Sequence, residues 1–142
     1  MPTFTARQPD LTVSGPLVAV EVTLSAGAEA AEIKAGNPVP TPLTLSGMID
    51  TGASATVLQQ GLPAKLGLQP VGTTQVNTPT SQGVVCPLYS VRVVLPSRIV
   101  VEVIAVEAPL AGQNIQCLIG RDVLAGGVFV YIGYAETFSF SL

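Results

Sequence analysis

Histidine is absent from all 142 residues, and whole classes of chemistry go with it. A Ser-His-Asp or Cys-His nucleophile needs an imidazole to take the proton, and many zinc sites rest on imidazole ligands. Any hydrolytic chemistry must fall to carboxylates, lysine or an unusual base, and neither a metal site nor a cofactor is expected. Charge is scarce too: Asp, Glu, Lys and Arg make up 11% of the chain, against about 25% in ordinary domains. The net charge of −3, with no basic stripe, argues against nucleic-acid binding. So few charges leave much of a small domain's surface apolar, and a partner subunit would cover some of it. Long apolar runs are missing as well. The most apolar stretch, 93–112, is broken by Arg98, Glu102 and Glu107, so no transmembrane helix is expected. The opening MPTFTARQPD has no basic region leading into an apolar core, so no signal peptide is evident and a cytoplasmic location is expected. Only two cysteines occur, Cys86 and Cys117, without a CxxC pair. Two buried thiols are the simple reading, and one disulfide is the alternative.

Turn-formers are plentiful. The 14 glycines and 12 prolines make up about 18% of the chain, against about 12% usually. With abundant Val, Thr and Leu, this predicts many short strands rather than long helices. The length suits a single domain over 1–142, with residues 1–15 as a flexible or edge segment. Residues 17–25 (LVAVEVTLS) alternate as a strand, and 26–42, small and polar with Gly36-Asn37-Pro38 and Pro40, look like a long surface loop. A buried strand at 43–49 (LTLSGMI) runs into Asp50, and a short strand at 55–58 follows. Residues 61–67 fit one helical turn, with Pro63 near its start and Gly67 at its end. Strands at 71–76 and 83–95 flank a polar tip at 77–82, and 98–106 (RIVVEVIAV) form another strand. Residues 116–120 lead to a short helix at 121–125, and 128–132 with 137–142 suit a terminal hairpin. In its last strand Phe138, Phe140 and Leu142 point one way, Ser139 and Ser141 the other.

Aspartate occurs only at positions 10, 50 and 122. Asp10 sits in a polar stretch and is expected to be solvated. Asp122 suits a helix N-cap or a salt bridge. Asp50 opens the tripeptide Asp50-Thr51-Gly52, which by chance arises in roughly a few per cent of chains this long. Its flanks sharpen the signal. An apolar strand delivers the Asp, Gly52 permits a tight turn, the small Ala53 follows, and a β-branched strand leaves. The competing reading is a turn aspartate bonding its own backbone.

Asp50-Thr51-Gly52-Ala53 between apolar strands resembles the active-site motif of the retropepsin-like (retroviral-type) aspartic proteases, including their bacterial relatives. Leu118-Ile119-Gly120-Arg121 resembles the family's second signature, where two apolar residues, Gly and Arg open a short helix. The resemblance implies an all-β fold: a small closed β-barrel with one or two short helices, working as a homodimer. It implies an aspartic endopeptidase acting on peptide or protein substrates, with Asp50 as the catalytic carboxylate. Thr51 and Gly52 would lock the loop across the dimer axis, and Ile119, Gly120 and Arg121 would brace it. Gly52 and Ala53 would face substrate, and a flap at the hairpin tip would add Thr78, Pro79, Thr80 and Ser81. Apolar Ala53, Val57 and Ile119 would line the groove. The family commonly has an acidic residue where Ser54 stands, paired with the Arg of the second motif. Here Arg121 is expected to meet Asp122 or the opposite subunit instead. The ending TFSFSL is free to pair with a dimer mate or to close its own hairpin. The alternative function is a non-catalytic peptide-binding or dimerisation module on the same fold.

One carboxylate cannot serve as base and acid at once. Two of them about 3 Å apart share a proton and divide those roles. This chain has one such tripeptide, so the second Asp must come from another chain.

Overall fold

The computed structural model describes residues 1–78, 81–110, 112 and 114–142. The fold is mostly β, with 49% strand and 20% helix. In chain order come β1 (Thr3–Arg7), α1 (Leu11–Ser14), β2 (Leu17–Leu24), α2 (Ala26–Lys34), β3 (Leu43–Ile49) and β4 (Val57–Gln59). There follow α3 (Leu62–Lys65), β5 (Gly72–Thr78), β6 (Ser81–Leu95), β7 (Ile99–Ala108), β8 (Cys117–Ile119), α4 (Arg121–Leu124), β9 (Val128–Ile132) and β10 (Thr137–Ser141). Short 3₁₀ turns cover Pro96–Arg98 and Gly133–Ala135.

Seven strands run in the order β2-β3-β8-β4-β7-β6-β5, and β2 pairs on its other side with β6. Alternation sets which side chains face inward. Along β2, Val18, Val20 and Val22 are buried while Leu17, Ala19 and Glu21 are exposed. On β6, Val91, Val93 and Leu95 join them in one core with Leu45, Ile49, Leu58, Ile99 and Ile119. A second sheet, β1-β10-β9, covers one side of this core. Phe138 and Phe140 lie completely buried on its inner face, with Phe4 edge-on to Phe138 at 6.3 Å between ring centroids. The C-terminal strand therefore closes its own hairpin with β9 and takes β1 on its other side.

The described residues hold four α-helices where one or two were expected, and 26–42 is not simply a loop. Ser25 caps α2 by accepting the N–H of Ala28, at 3.2 Å. Glu29 in its first turn and Lys34 in its last suit the helix dipole, and alanine favours the helix. No α2 residue is buried, so the apolar periodicity that signals a helix was never required of this segment. The other addition, α1, is one turn around buried Leu11. At the hairpin the ladder runs to Thr78 opposite Ser81, beyond the expected strand ends. Pro79 and Thr80 lie outside the described residues, as do the side chains of Thr78 and Ser81. Cys86 and Cys117 are buried free thiols, not a disulfide. No helix among the described residues is long and apolar enough to cross a membrane.

Phe138→Ala should cost about 3–5 kcal/mol, as deletion of a fully buried aromatic does. Ser139→Ala, on the outer face, should stay within about 0.5 kcal/mol. Urea denaturation of the two variants checks the assigned faces: equal losses would mean that the strand is turned over.

Candidate active site

The short strand β8 organises the region. It runs parallel to β3, with Met48 opposite Leu118 and Ile49 opposite Ile119, and antiparallel to β4, with Val57 opposite Leu118. The chain leaving β3 must therefore cross over β8 to reach β4, and residues 50–56 form that crossing. The Asp50 N–H donates to the Ile119 carbonyl at 2.9 Å, extending the β3–β8 ladder by one residue. The Gly52 N–H then donates to Asp50 Oδ1 at 2.8 Å, and the Ala53 N–H to the Asp50 carbonyl at 3.2 Å. A Cβ at position 52 would stand 3.1 Å from the same Oδ1. Glycine there lets the carboxylate lie close over the turn. Thr51, Gly52 and Ser54 are exposed, and Asp50 and Ala53 half-buried, so the carboxylate sits at the surface on a fixed turn.

Behind the loop runs the segment from β8 into α4. The Arg121 N–H donates to the Ala53 carbonyl at 2.9 Å, and its guanidinium Nη1 donates to the Thr51 carbonyl at 2.8 Å. This corrects the expectation for Arg121: it grips the loop's backbone rather than Asp122. With Ser54 offering no charge, the Thr51 carbonyl is an acceptor within reach of the guanidinium. Gly120 has a different reason to be glycine. A Cβ there would fall 2.5 Å from the Ala55 carbonyl carbon and 2.6 Å from its oxygen.

Asp122 is not the N-cap, and among the described residues it has no salt-bridge partner. Gly120 holds the cap position of α4. The Asp122 carboxylate accepts the Thr56 N–H at 2.9 Å, the Thr56 hydroxyl at 2.8 Å and the N–H of Val123 at 2.9 Å. Thr56 is completely buried. These contacts also explain why β4 starts at Val57 and not at Ala55. Ile119, expected in a groove, is completely buried in the core and faces no groove. Its neighbour Val57 is half-buried. A cleft of about 460 Å³ lies elsewhere, between α2 and residues 66–71. Among the described residues no group of His, Cys, Asp or Glu is placed to hold a metal ion.

Cys117 lies on β8 beneath this network, and burial, with a smaller push from the Asp122 charge, raises its thiol to about 12. The thiol is favoured over the thiolate more strongly in the folded chain than in the unfolded one. That contribution is complete below about pH 9, the ordinary thiol value, and is lost as pH rises towards 12.

Residues 28–123, more than half of the chain, match the family model described as aspartyl protease. The chain belongs to the aspartyl protease family, and its fold is of the retropepsin-like kind. It is similar to a retropepsin-like aspartic protease from Rickettsia conorii, at 14% identity and a TM-score of 0.57, covering 97% of this chain and 89% of that one. It is also similar to the foamy viral protease-reverse transcriptase solved with double-stranded DNA, at 18% identity and a TM-score of 0.51. That match covers 82% of this chain but 16% of the viral one. At these identities the likeness is one of fold. No curated protein matches the chain.

Two outcomes test this local structure. Gly120→Ala should cost about 2 kcal/mol or more in denaturation experiments, because the new methyl meets backbone rather than a side chain able to swing away. Relative to Cys117→Ala, the wild type should lose about 2–3 kcal/mol of stability between pH 8 and pH 11. Parallel stability curves for the two proteins would show that the thiol is not held in its neutral form by the fold.

Proposed function

We propose that the chain is an aspartic endopeptidase whose active site forms from two copies, each supplying Asp50. The observation that supports this best is the Asp50 turn itself. The carboxylate stands at the end of a core strand, with one oxygen fixed by the Gly52 N–H at 2.8 Å, on an exposed loop bonded from behind by Arg121. A turn aspartate with a purely local role would not need that support.

In the proposed reaction two Asp50 carboxylates face each other and share one proton. The ionised one takes a proton from water as the oxygen attacks the peptide carbonyl, and the protonated one donates to the carbonyl oxygen. Collapse of the tetrahedral intermediate breaks the C–N bond, and the proton passes to the leaving amine. Thr51 of each copy meets the partner's loop across the axis and sets the separation of the pair. Gly52 presents backbone groups to the substrate, and Ala53 leaves room for it. The hairpin tip, with Thr78, Pro79, Thr80 and Ser81, closes over the peptide and excludes water. The whole chain acts as one domain. The β2–β6 pairing, which returns the β2-β3-β8-β4-β7-β6 ladder to its start, supports a closed barrel as its frame.

Asp50→Asn keeps the shape of the side chain and still accepts the Gly52 N–H through its amide oxygen. It should lower peptide hydrolysis by at least about 10³-fold while leaving the fold intact. Peptide-library cleavage with and without pepstatin measures this, and sedimentation of the active protein should give twice the chain mass. Full activity in the Asn variant, or in a strictly monomeric protein, would overturn the shared Asp50 pair, and a wild type that cleaves no peptide would leave the non-catalytic peptide-binding or dimerisation module.

A further inference from the structure

We propose that Asp122 is a positioning residue of this active site, acting through Thr56 to fix the outgoing arm of the Asp50 loop. The inference rests on the endopeptidase reading above. Asp122 takes one hydrogen bond from its own helix, the N–H of Val123. The other two come from Thr56, 66 positions earlier in the chain. Thr56 is the last residue of the crossing before β4, and it is completely buried. Its carbonyl already takes the Val106 N–H at 2.9 Å, and its hydroxyl oxygen takes the Gly120 N–H at 3.3 Å. Its own N–H and O–H both end on the Asp122 carboxylate. Removing that group would take the acceptor from two donors of a completely buried residue.

The geometry of the whole loop gives the contact its consequence. Four successive residues, Ile119 to Asp122, each bond the crossing: Ile119 at Asp50, Gly120 at Thr56, Arg121 at Thr51 and Ala53, and Asp122 at Thr56. The incoming arm is held by strand pairing and the middle by Arg121. At the outgoing arm Asp122 supplies the one anionic acceptor, and bonds to a charged acceptor are the stronger kind. An arm released there lets the Gly52–Asp50 turn tilt. Misplacement of reacting groups by about 1 Å can cost about 100-fold in rate.

The test is steady-state peptide cleavage by wild type, Asp122→Ala, Asp122→Asn, Thr56→Val and the Thr56→Val/Asp122→Ala double variant, all well below their unfolding temperatures. The amide NMR signal of Gly52 is followed in each. Asp122→Ala should lower kcat by about 10–100-fold with KM changed by less than about threefold. Asp122→Asn, which keeps one accepting oxygen, should recover part of that rate. The double variant should be no slower than Asp122→Ala alone, because both changes cut the same link. The Gly52 signal should move in the same order as kcat. Should Asp122→Ala fail to fold, Thr56→Val and Asp122→Asn carry the comparison. The proposal is overturned if folded Asp122 variants keep wild-type kcat, if only KM changes, or if the two substitutions multiply. A wild type that cleaves no peptide rejects the endopeptidase reading instead. The Gly52 signal then decides the brace alone: movement in the Asp122 variants supports it, and an unmoved signal ends it.

Discussion

The site depends on β8, whose three residues separate two strands that would otherwise be neighbours. Cys117 to Ile119 pair with β3 on one side and β4 on the other. Adjacent strands stand about 4.8 Å apart, so the loop from β3 to β4 has to span about twice that distance. A two-residue hairpin cannot reach. Seven residues, 50–56, make the crossing, and they arch over the end of β8 with the Asp50 carboxylate on top. Close approach pays for this arrangement at Gly47, where a Cβ would lie 2.8 Å from a Val20 methyl, and again at Gly120. Cys117 and Ile119 are completely buried beneath the arch, so the loop rests on packed core.

A chain this poor in charge uses its carboxylates in a particular way. Glu102 accepts the Ala26 N–H at the start of α2, Glu107 the Gly61 N–H before α3, Asp122 the Thr56 N–H and Asp50 the Gly52 N–H. In each case the donor lies outside the strand ladders, where the backbone offers it no partner. Four of the nine acidic residues thus satisfy backbone at the points where the chain changes direction. Arg92 plays the complementary part, reaching Glu29 at 3.2 Å and Glu102 at 3.8 Å. It ties α2 to the sheet at a site partly open to solvent, where one ion pair contributes about 0–1 kcal/mol. The helix is thus a light attachment, and the β8 crossing does not depend on it.

What was legible in the sequence follows from which signals are local. Strand faces such as Phe138/Phe140 against Ser139/Ser141 were readable because alternation is imposed by the pleat itself. The Asp50 turn was readable because its residue types must stand next to one another. The family followed from two such segments together. By contrast α2 carries no buried residue, so it left no apolar period, and only Ser25, the alanines and the placement of Glu29 and Lys34 could have announced it. Arg121 and Asp122 show the harder limit. Both were recognised as bonding residues, yet their partners, Thr51 and Thr56, lie about seventy positions away. A side chain's acceptor is chosen by tertiary geometry, which spacing along the chain does not encode. Ile119 was misplaced for a related reason: on so short a strand, alternation alone does not say which face is the core.

The chain's two structurally engaged aspartates make the division of labour plain. Asp122 commits both oxygens to donors within its own chain, two of them on the completely buried Thr56. Asp50 commits one oxygen, to Gly52, and no described residue donates to the other. Three donors already occupy Asp122, of the about four lone-pair sites a carboxylate offers, so its oxygens are committed to holding its neighbours. Asp50 has the opposite balance: one oxygen is held by the turn, and the other has no donor among the described residues. On the proposed reading the two roles need each other. Half-held Asp50 would be too loose to meet a second carboxylate at about 3 Å without a rigid support, and Asp122, through Thr56, would be part of that support.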